Sequence, residues 1–240
     1  MRVIVTRPSA SARRTADKLR RLGHQPILLP VMEPVHYPEA IAAALLTPHR
    51  GLAITSAEAV RALEGLDLAA HHGTPVFAVG EATADAARQA GFRHVEAGPG
   101  TGEALARLII DRAAQDLLYL AGNPRSPAFE AGLSAAGIRS TTVEAYAMRE
   151  VAWSAEAVQA LSPLPEALLL YSKEAARHVF ARLTPWLAQR RDHVFHVLCL
   201  SPQVAEAVPQ KDMIERHVAD QPDEDQLLLL LSSCGGTKIR

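Results

Sequence analysis

The 240-residue chain carries 25 lysines and arginines against 26 aspartates and glutamates, a formal charge of −1, with 48% hydrophobic residues. A chain of this length can build one large or two small α/β cores. Near-neutrality excludes the global basic field of a general nucleic-acid or membrane binder. Its two cysteines, Cys199 and Cys234, are too few for a disulfide framework or a cysteine metal cluster, and a reduced, cytoplasmic chain is the expectation.

Arg2–Val5 reads as a first strand and not as a signal peptide, because no apolar stretch of sufficient length follows Arg2. Even the longest apolar run, Leu227–Leu231, is far too short to span a bilayer. A helix is predicted over Ser11–Leu22, stopped by Gly23, and a second strand over Gln25–Leu29. Pro30–Pro38 holds three prolines in nine residues and reads as an extended, stiffened connector, the first candidate hinge. A helix over Glu39–Leu46 then leads to a buried strand at Leu52–Ile54.

The stretch Gly51–Gly65 combines that strand, a Thr55-Ser56 junction, and a helix with Ala57, Ala59, Val60 and Leu63 at helical spacing. Ser56 suits an N-cap, and the helix N-terminus beside it offers backbone N–H groups and a positive dipole end to an anion. Beyond it, a strand at Val76–Val79 ends at Gly80, and a helix runs from Thr83 to Ala90. A short strand at Val95–Ala97 precedes the glycine-rich Gly98–Gly102 loop and an amphipathic helix to Ala114. Leu117–Leu120 is the next strand, with Gly122-Asn123 at its end. A helix over Pro127–Ala136 and a strand over Ser140–Ala145 follow, the latter running into Tyr146. Ala147–Ser154 has little regular character and is the second connector.

After a short helix at Ala155–Leu161 and the Ser162–Pro165 break, the key stretch recurs as Glu166–Leu183. Ile54-Thr55-Ser56-Ala57-Glu58-Ala59-Val60-Arg61 aligns without gaps on Leu170-Tyr171-Ser172-Lys173-Glu174-Ala175-Ala176-Arg177. Phe77–Ala84 likewise echoes Leu198–Ala205, Arg93-His94-Val95 echoes Arg216-His217-Val218, and Leu19 with Gly23 echoes Leu133 with Gly137. Shared order at an offset of about 114 to 121 residues means one βα layout used twice. A strand at Phe195–Leu200, a helix at Pro202–Ala207, a strand at His217–Ala219, a helix at Asp223–Leu231 and a frayed Ser232–Arg240 tail complete the expectation.

The predicted class is α/β, with two doubly wound parallel-sheet domains of similar layout. Ligands of such sheets lie beyond the carboxyl ends of the strands. Those ends read Thr6-Arg7, Thr55-Ser56, Gly80, Gly122-Asn123, Tyr171-Ser172 and Ser201: small, hydroxylic, and poor in charge. The Gly98–Gly102 loop lacks the Lys-Ser/Thr of a P-loop and has Glu103 where a dinucleotide fingerprint wants glycine, so it reads as a loop and helix start. His71, His72, His193 and His196 lack ligand spacing, and no metal is expected. No GxSxG elbow supports a serine nucleophile, and Ser56 and Ser172 read equally as caps and as ligand contacts. Arg7 is either a carboxylate fork or an ordinary surface arginine, and Tyr146 either a packing aromatic or a neutral proton donor.

Val3-Ile4-Val5-Thr6-Arg7-Pro8, Pro30-Val31, Thr55–Val60, Val79–Ala84, Gly122-Asn123 with Leu133 and Gly137, Val143–Tyr146 and Tyr171-Ser172 together resemble the uroporphyrinogen-III synthase family, in order over residues 1 to 231. Three places depart from it: Glu58 stands where bacterial members usually have Asn, Lys173 follows Tyr171-Ser172, and Gln203-Val204 replaces a common threonine pair. The resemblance implies a segment-exchanged layout, with residues 1–34 plus 164–240 as one domain and 38–147 as the other. Connectors at 30–37 and 146–153 would join them. It also implies cyclisation of hydroxymethylbilane, a linear tetrapyrrole, with inversion of its last ring and loss of water, without cofactor or metal. Tyr146 would be the general acid. Thr6, Arg7, Thr55, Ser56, Gly80, Thr83, Gly122, Asn123, Tyr171, Ser172 and Ser201 would bind the substrate's carboxylates. A monomer without nucleic-acid or membrane partners is the expectation. The rival readings are a two-domain glycosyltransferase and a non-catalytic solute-binding sensor.

Overall fold

The structure is a computed structural model that describes residues 1–187 and 194–234. In chain order its strands are Arg2–Val5 (β1), Gln25–Leu28 (β2), Met32–His36 (β3), Gly51–Ile54 (β4), Val76–Ala78 (β5), Val95–Ala97 (β6), Leu117–Asn123 (β7), Ser140–Glu150 (β8), Ala167–Leu170 (β9), Phe195–Cys199 (β10) and Ile214–Val218 (β11). Helices join nearly all of them, and among the described residues none is long and apolar enough to cross a membrane. The chain divides into two compact units: Met1–Glu33 with Arg149–Arg240, and Pro34–Met148.

The first unit's sheet has the order β11-β10-β9-β1-β2, with every pair parallel. The second unit's sheet runs β3-β8-β7-β4-β5-β6, parallel from β8 to β6. Aligning β4 with β9 makes the two sheets equivalent strand by strand. β5 then answers to β10, β6 to β11, β7 to β1 and β8 to β2. The repeat seen in sequence is therefore a real duplication of topology, and the N-terminal β1–helix–β2 segment completes the sheet built by the last third of the chain.

Parallel sheets need cover on both faces, and the side-chain alternation supplies it. In the first unit Ile4, Leu168, Leu170 and Val197 point to one core while Val3, Val5, Leu169 and Leu198 point to the other. In the second, Leu52, Ile54, Leu118 and Leu120 face one core while Ala53, Leu117, Tyr119 and Ala121 face the other. Each fully buried leucine in these strands contributes about 2 kcal/mol through removal of apolar surface from water.

Three expectations change. Ala147–Ser154 is not irregular throughout, since β8 continues to Glu150. The Val151 N–H donates to the Val31 carbonyl and the Tyr37 N–H to that of Ala145, so each proline-rich or weakly patterned segment finds its backbone partners in the other. The C-terminal end is not frayed as far as it is described, because Leu231–Cys234 forms a short helix whose Leu231 and Cys234 are buried. Residues 235–240 and His193 lie outside the described residues. The last strand also shifts toward the N-terminus, to Ile214–Val218, because backbone pairing with β10 sets its span.

Candidate functional site

In the second unit, the carboxyl ends of β4, β5 and β7 surround a cavity of about 300 Å³. Thr55, Ser56, Tyr119, Gly122, Arg125 and Tyr146 are among the residues that line it. β4 ends at Ile54, and Ser56 then caps the Ala57–Arg61 helix, its Oγ accepting from the Glu58 N–H at 3.0 Å. The same oxygen accepts from the Tyr146 hydroxyl at 3.1 Å. With both acceptor sites of Ser56 engaged, its own proton is left to donate into the cavity.

Tyr146 reaches this position because of a β-bulge. Along β7 and β8 the register steps from Ala121 opposite Glu144 to Gly122 opposite Tyr146, so one residue of β8 is left over. Gly122 gives the ring its space: a Cβ there would lie 2.5 Å from the tyrosine Cζ and Oη. On the other side of β4, the Thr55 hydroxyl and the buried Tyr119 hydroxyl are hydrogen-bonded at 2.9 Å. Burial pushes the Tyr119 phenol above its ordinary pKa, so it remains a neutral hydroxyl.

Charge at this mouth is scarce and mostly paired. Arg125 bonds Glu130 at 2.9 Å, and that hydrogen bond is the main reason the Glu130 carboxyl lies below its usual range. Behind Ser56, Glu58 accepts from Arg61 and bonds His36 Nε2 at 2.7 Å. Burial pushes the Glu58 carboxyl up, but the bonds from Arg61 and His36 outweigh it and leave it below its ordinary pKa. Gly100 and Gly102 also line the cavity, and the Gly102–Asp111 helix brings the positive end of its dipole to the wall.

The corresponding junction in the first unit is filled by its own side chains. Ser172 accepts from the Ala175 N–H, as an N-cap should. Tyr171, however, donates to Glu224 at 3.0 Å, and Arg7 stacks 4.3 Å above its ring. The Arg7 Nη1 lies 2.6 Å from the Glu224 carboxylate, which also accepts from Thr15 at 2.6 Å and Lys18 at 2.9 Å. Burial raises the Glu224 carboxyl, but these donors and the Arg7 charge bring it down to about 2. Burial likewise pushes the Tyr171 phenol well above its ordinary pKa.

The remaining sequence-derived residues fall outside the cavity lining. Thr6 is buried and donates to the Leu169 carbonyl at 3.2 Å. Ser201 caps the Pro202–Ala205 helix by accepting from the Val204 N–H. Gly80 starts the Glu81–Gln89 helix with extended backbone, and Thr83 is buried in its first turn. Asn123 donates to Glu144 at 2.9 Å. Sequence reasoning passed over Tyr119, the lone hydroxyl in an apolar strand, and Arg125, two residues beyond Gly122-Asn123. It also set aside Gly100 and Gly102, because the loop matches no phosphate fingerprint.

Paired doubly wound sheets, one of them opening a pocket lined by hydroxyls and backbone at its strand ends, define a two-unit α/β enzyme scaffold. A family profile described as "Uroporphyrinogen-III synthase HemD" matches residues 13–228. Among solved structures, the chain is similar to uroporphyrinogen-III synthetase from Helicobacter pylori, with 18% identity and a TM-score of 0.64 over 97% of this chain and 98% of that one. It is also similar to a mutant uroporphyrinogen III synthase from the extremely thermophilic bacterium Thermus thermophilus, with 19% identity and a TM-score of 0.59 over 98% of each chain. A search of curated proteins finds no match. With nine-tenths of its length covered by the profile, the chain belongs to the uroporphyrinogen-III synthase family, whose members are cyclising lyases of tetrapyrrole biosynthesis.

Proposed function

We propose that the second unit's pocket receives the reacting end of hydroxymethylbilane and that Tyr146 protonates the departing hydroxyl. The observation that carries this reading is the Tyr146 phenol, held against Ser56 at the lip of a largely neutral pocket. A cavity of about 300 Å³ lies at the small end of ligand sites and suits roughly one substituted pyrrole of the four. In the first step the pyrrole nitrogen pushes out the hydroxyl, the C–O bond breaks, and the phenol proton leaves with it as water. The ring becomes an azafulvene. As the phenolate forms, the Ser56 hydroxyl turns to donate to it, and Tyr146 recovers a proton when the attacking ring is deprotonated. Attack through the substituted carbon of the last pyrrole gives a spiro intermediate that fragments and recloses inverted.

The substrate is reactive enough to cyclise unaided, so the protein's task is to hold one geometry. Thr55, Ser56, Gly122 and the helix N-terminus at Gly102 are assigned to that end, with Arg125 as the nearby cation. Gly80, Thr83 and Asn123 support the pocket's walls. At the first unit's strand ends Ser172 and Ser201 are assigned hydrogen bonds to carboxylates, whereas Thr6 is buried and donates to the Leu169 carbonyl, and Arg7 and Tyr171 hold Glu224. The chemistry requires no redox partner, and a cytoplasmic monomer fits it. The test is incubation of the purified chain with freshly generated hydroxymethylbilane and separation of the product isomers. An excess of type III is expected; type I as the sole macrocycle would overturn the proposal.

A further inference from the structure

In the first unit, away from every residue given a role in the reaction, β10 and β11 and the final short helix bring four metal-ligating side chains together. His196 and Glu215 are register partners on β10 and β11, and His217 lies two residues beyond Glu215 on the same face. The His196 Nδ1 and His217 Nε2 atoms are 3.1 Å apart. The Cys234 sulfur lies 3.7 Å from that same His217 Nε2. Ligand atoms of the two histidines and the cysteine all fall within 4.8 Å of one another. Glu215 closes the set, with one carboxylate oxygen 3.3 Å from His196 Nδ1 and the other 3.8 Å from His217 Nε2.

The His196–His217 and His217–Cys234 separations are close to those in a tetrahedral zinc shell. With Zn–N near 2.05 Å and Zn–S near 2.3 Å, two nitrogens lie about 3.3 Å apart and a nitrogen and a sulfur about 3.5 Å apart. Small rotations of side chains already in place would seat an ion. The set mixes borderline imidazole, soft thiolate and one carboxylate, a donor combination that favours zinc over magnesium or calcium. Burial supports the same reading: His196 and Cys234 are each 7% exposed, whereas Glu215 faces solvent and offers an entry path.

We propose that His196, His217, Cys234 and Glu215 form a structural zinc site that pins the C-terminal helix to the edge of the first unit's sheet. Spacing in the sequence hides it, since the ligands are scattered along the last part of the chain and match no zinc-finger interval. The expectation of no metal is revised accordingly. His196 and His217 share a hydrogen bond, and the Cys234 thiol donates to the Leu230 carbonyl. Binding would replace both contacts and release the thiol proton.

The test uses untagged full-length protein, stripped by chelator and titrated with cobalt(II). One equivalent should produce the intense visible bands of tetrahedral cobalt and a near-ultraviolet thiolate-to-cobalt charge-transfer band. Cys234→Ser should lose the charge-transfer band, and His217→Gln should lose both signals while circular dichroism stays that of the parent. Zinc should displace the cobalt and raise the melting temperature of the parent but not of His217→Gln. Bands no stronger than those of aqueous cobalt, or spectra unchanged in both variants, would overturn the proposal. Turnover of the parent is expected to be the same with and without zinc, which separates this site from the catalytic reading.

Discussion

Two copies of one strand–hydroxyl–helix junction have come to do different things in this chain. At Thr55-Ser56 charge is scarce and mostly paired with itself, the bulge on β8 brings in Tyr146, and a cavity remains. At Tyr171-Ser172 the extra volume of a tyrosine is met by Arg7, Glu224, Thr15 and Lys18, which satisfy one another. The backbone provides an N-cap at both. What separates an open junction from a filled one is whether neighbouring strands and helices supply the complementary charges from within. Occupancy by the protein's own side chains thus decides the fate of a βα junction.

Tyr146→Phe should break the comparison most severely. It keeps the ring and removes the proton, so kcat should fall by roughly 10²-fold or more with KM changed little, measured as type III product from hydroxymethylbilane. Unaltered kcat would take Tyr146 out of the chemistry. Gly122→Ala comes next, because the added methyl displaces the Tyr146 ring. Misplacement of about an ångström should cost on the order of tenfold to a hundredfold in turnover. A crystal structure of this variant should find the Tyr146–Ser56 bond broken.

In the first unit the expected effects are on stability. Glu224 titrates near 2 in the folded chain against an ordinary 4.5, so the unfolded chain binds the proton first. Its contribution is therefore complete above pH 4.5 and is lost as pH falls toward 2. Allowing for partial exposure, that contribution is about 2 kcal/mol. Glu224→Gln should lower the melting temperature at about pH 7, and its curve should lack the parent's decline over that acid window. The KM for hydroxymethylbilane should not change. Arg7→Ala should behave in the same way, with a smaller loss of about 1–2 kcal/mol. A large rise in KM at an unchanged melting temperature would return Arg7 to the substrate. Smallest of all, Thr55→Val leaves the buried Tyr119 hydroxyl unpartnered and should cost about 1 kcal/mol by denaturant titration, with a modest rise in KM.

The connectors show how far local pattern reaches. Pro30–Pro38 was legible as extended because proline fixes φ, and β3 lies within it. Ala147–Glu150 was not, because its strand character comes from a partner far away in the chain. Tyr146 was legible as a residue at a strand end, but its bond to Ser56 depends on a bulge that leaves no mark in composition.

By itself the sequence determined the alternation of strands and helices, the twofold use of one layout and the hydroxyl-rich strand ends. Those follow from hydrophobic periodicity and capping chemistry, which act over a few residues. Tertiary structure alone decided which junction stays open, that Arg7 is held by Glu224, and that His196, His217, Glu215 and Cys234 share one corner. Such matters turn on pairings between distant segments. Strand register and helix docking set them, and neither can be read from the residues at one place in the chain.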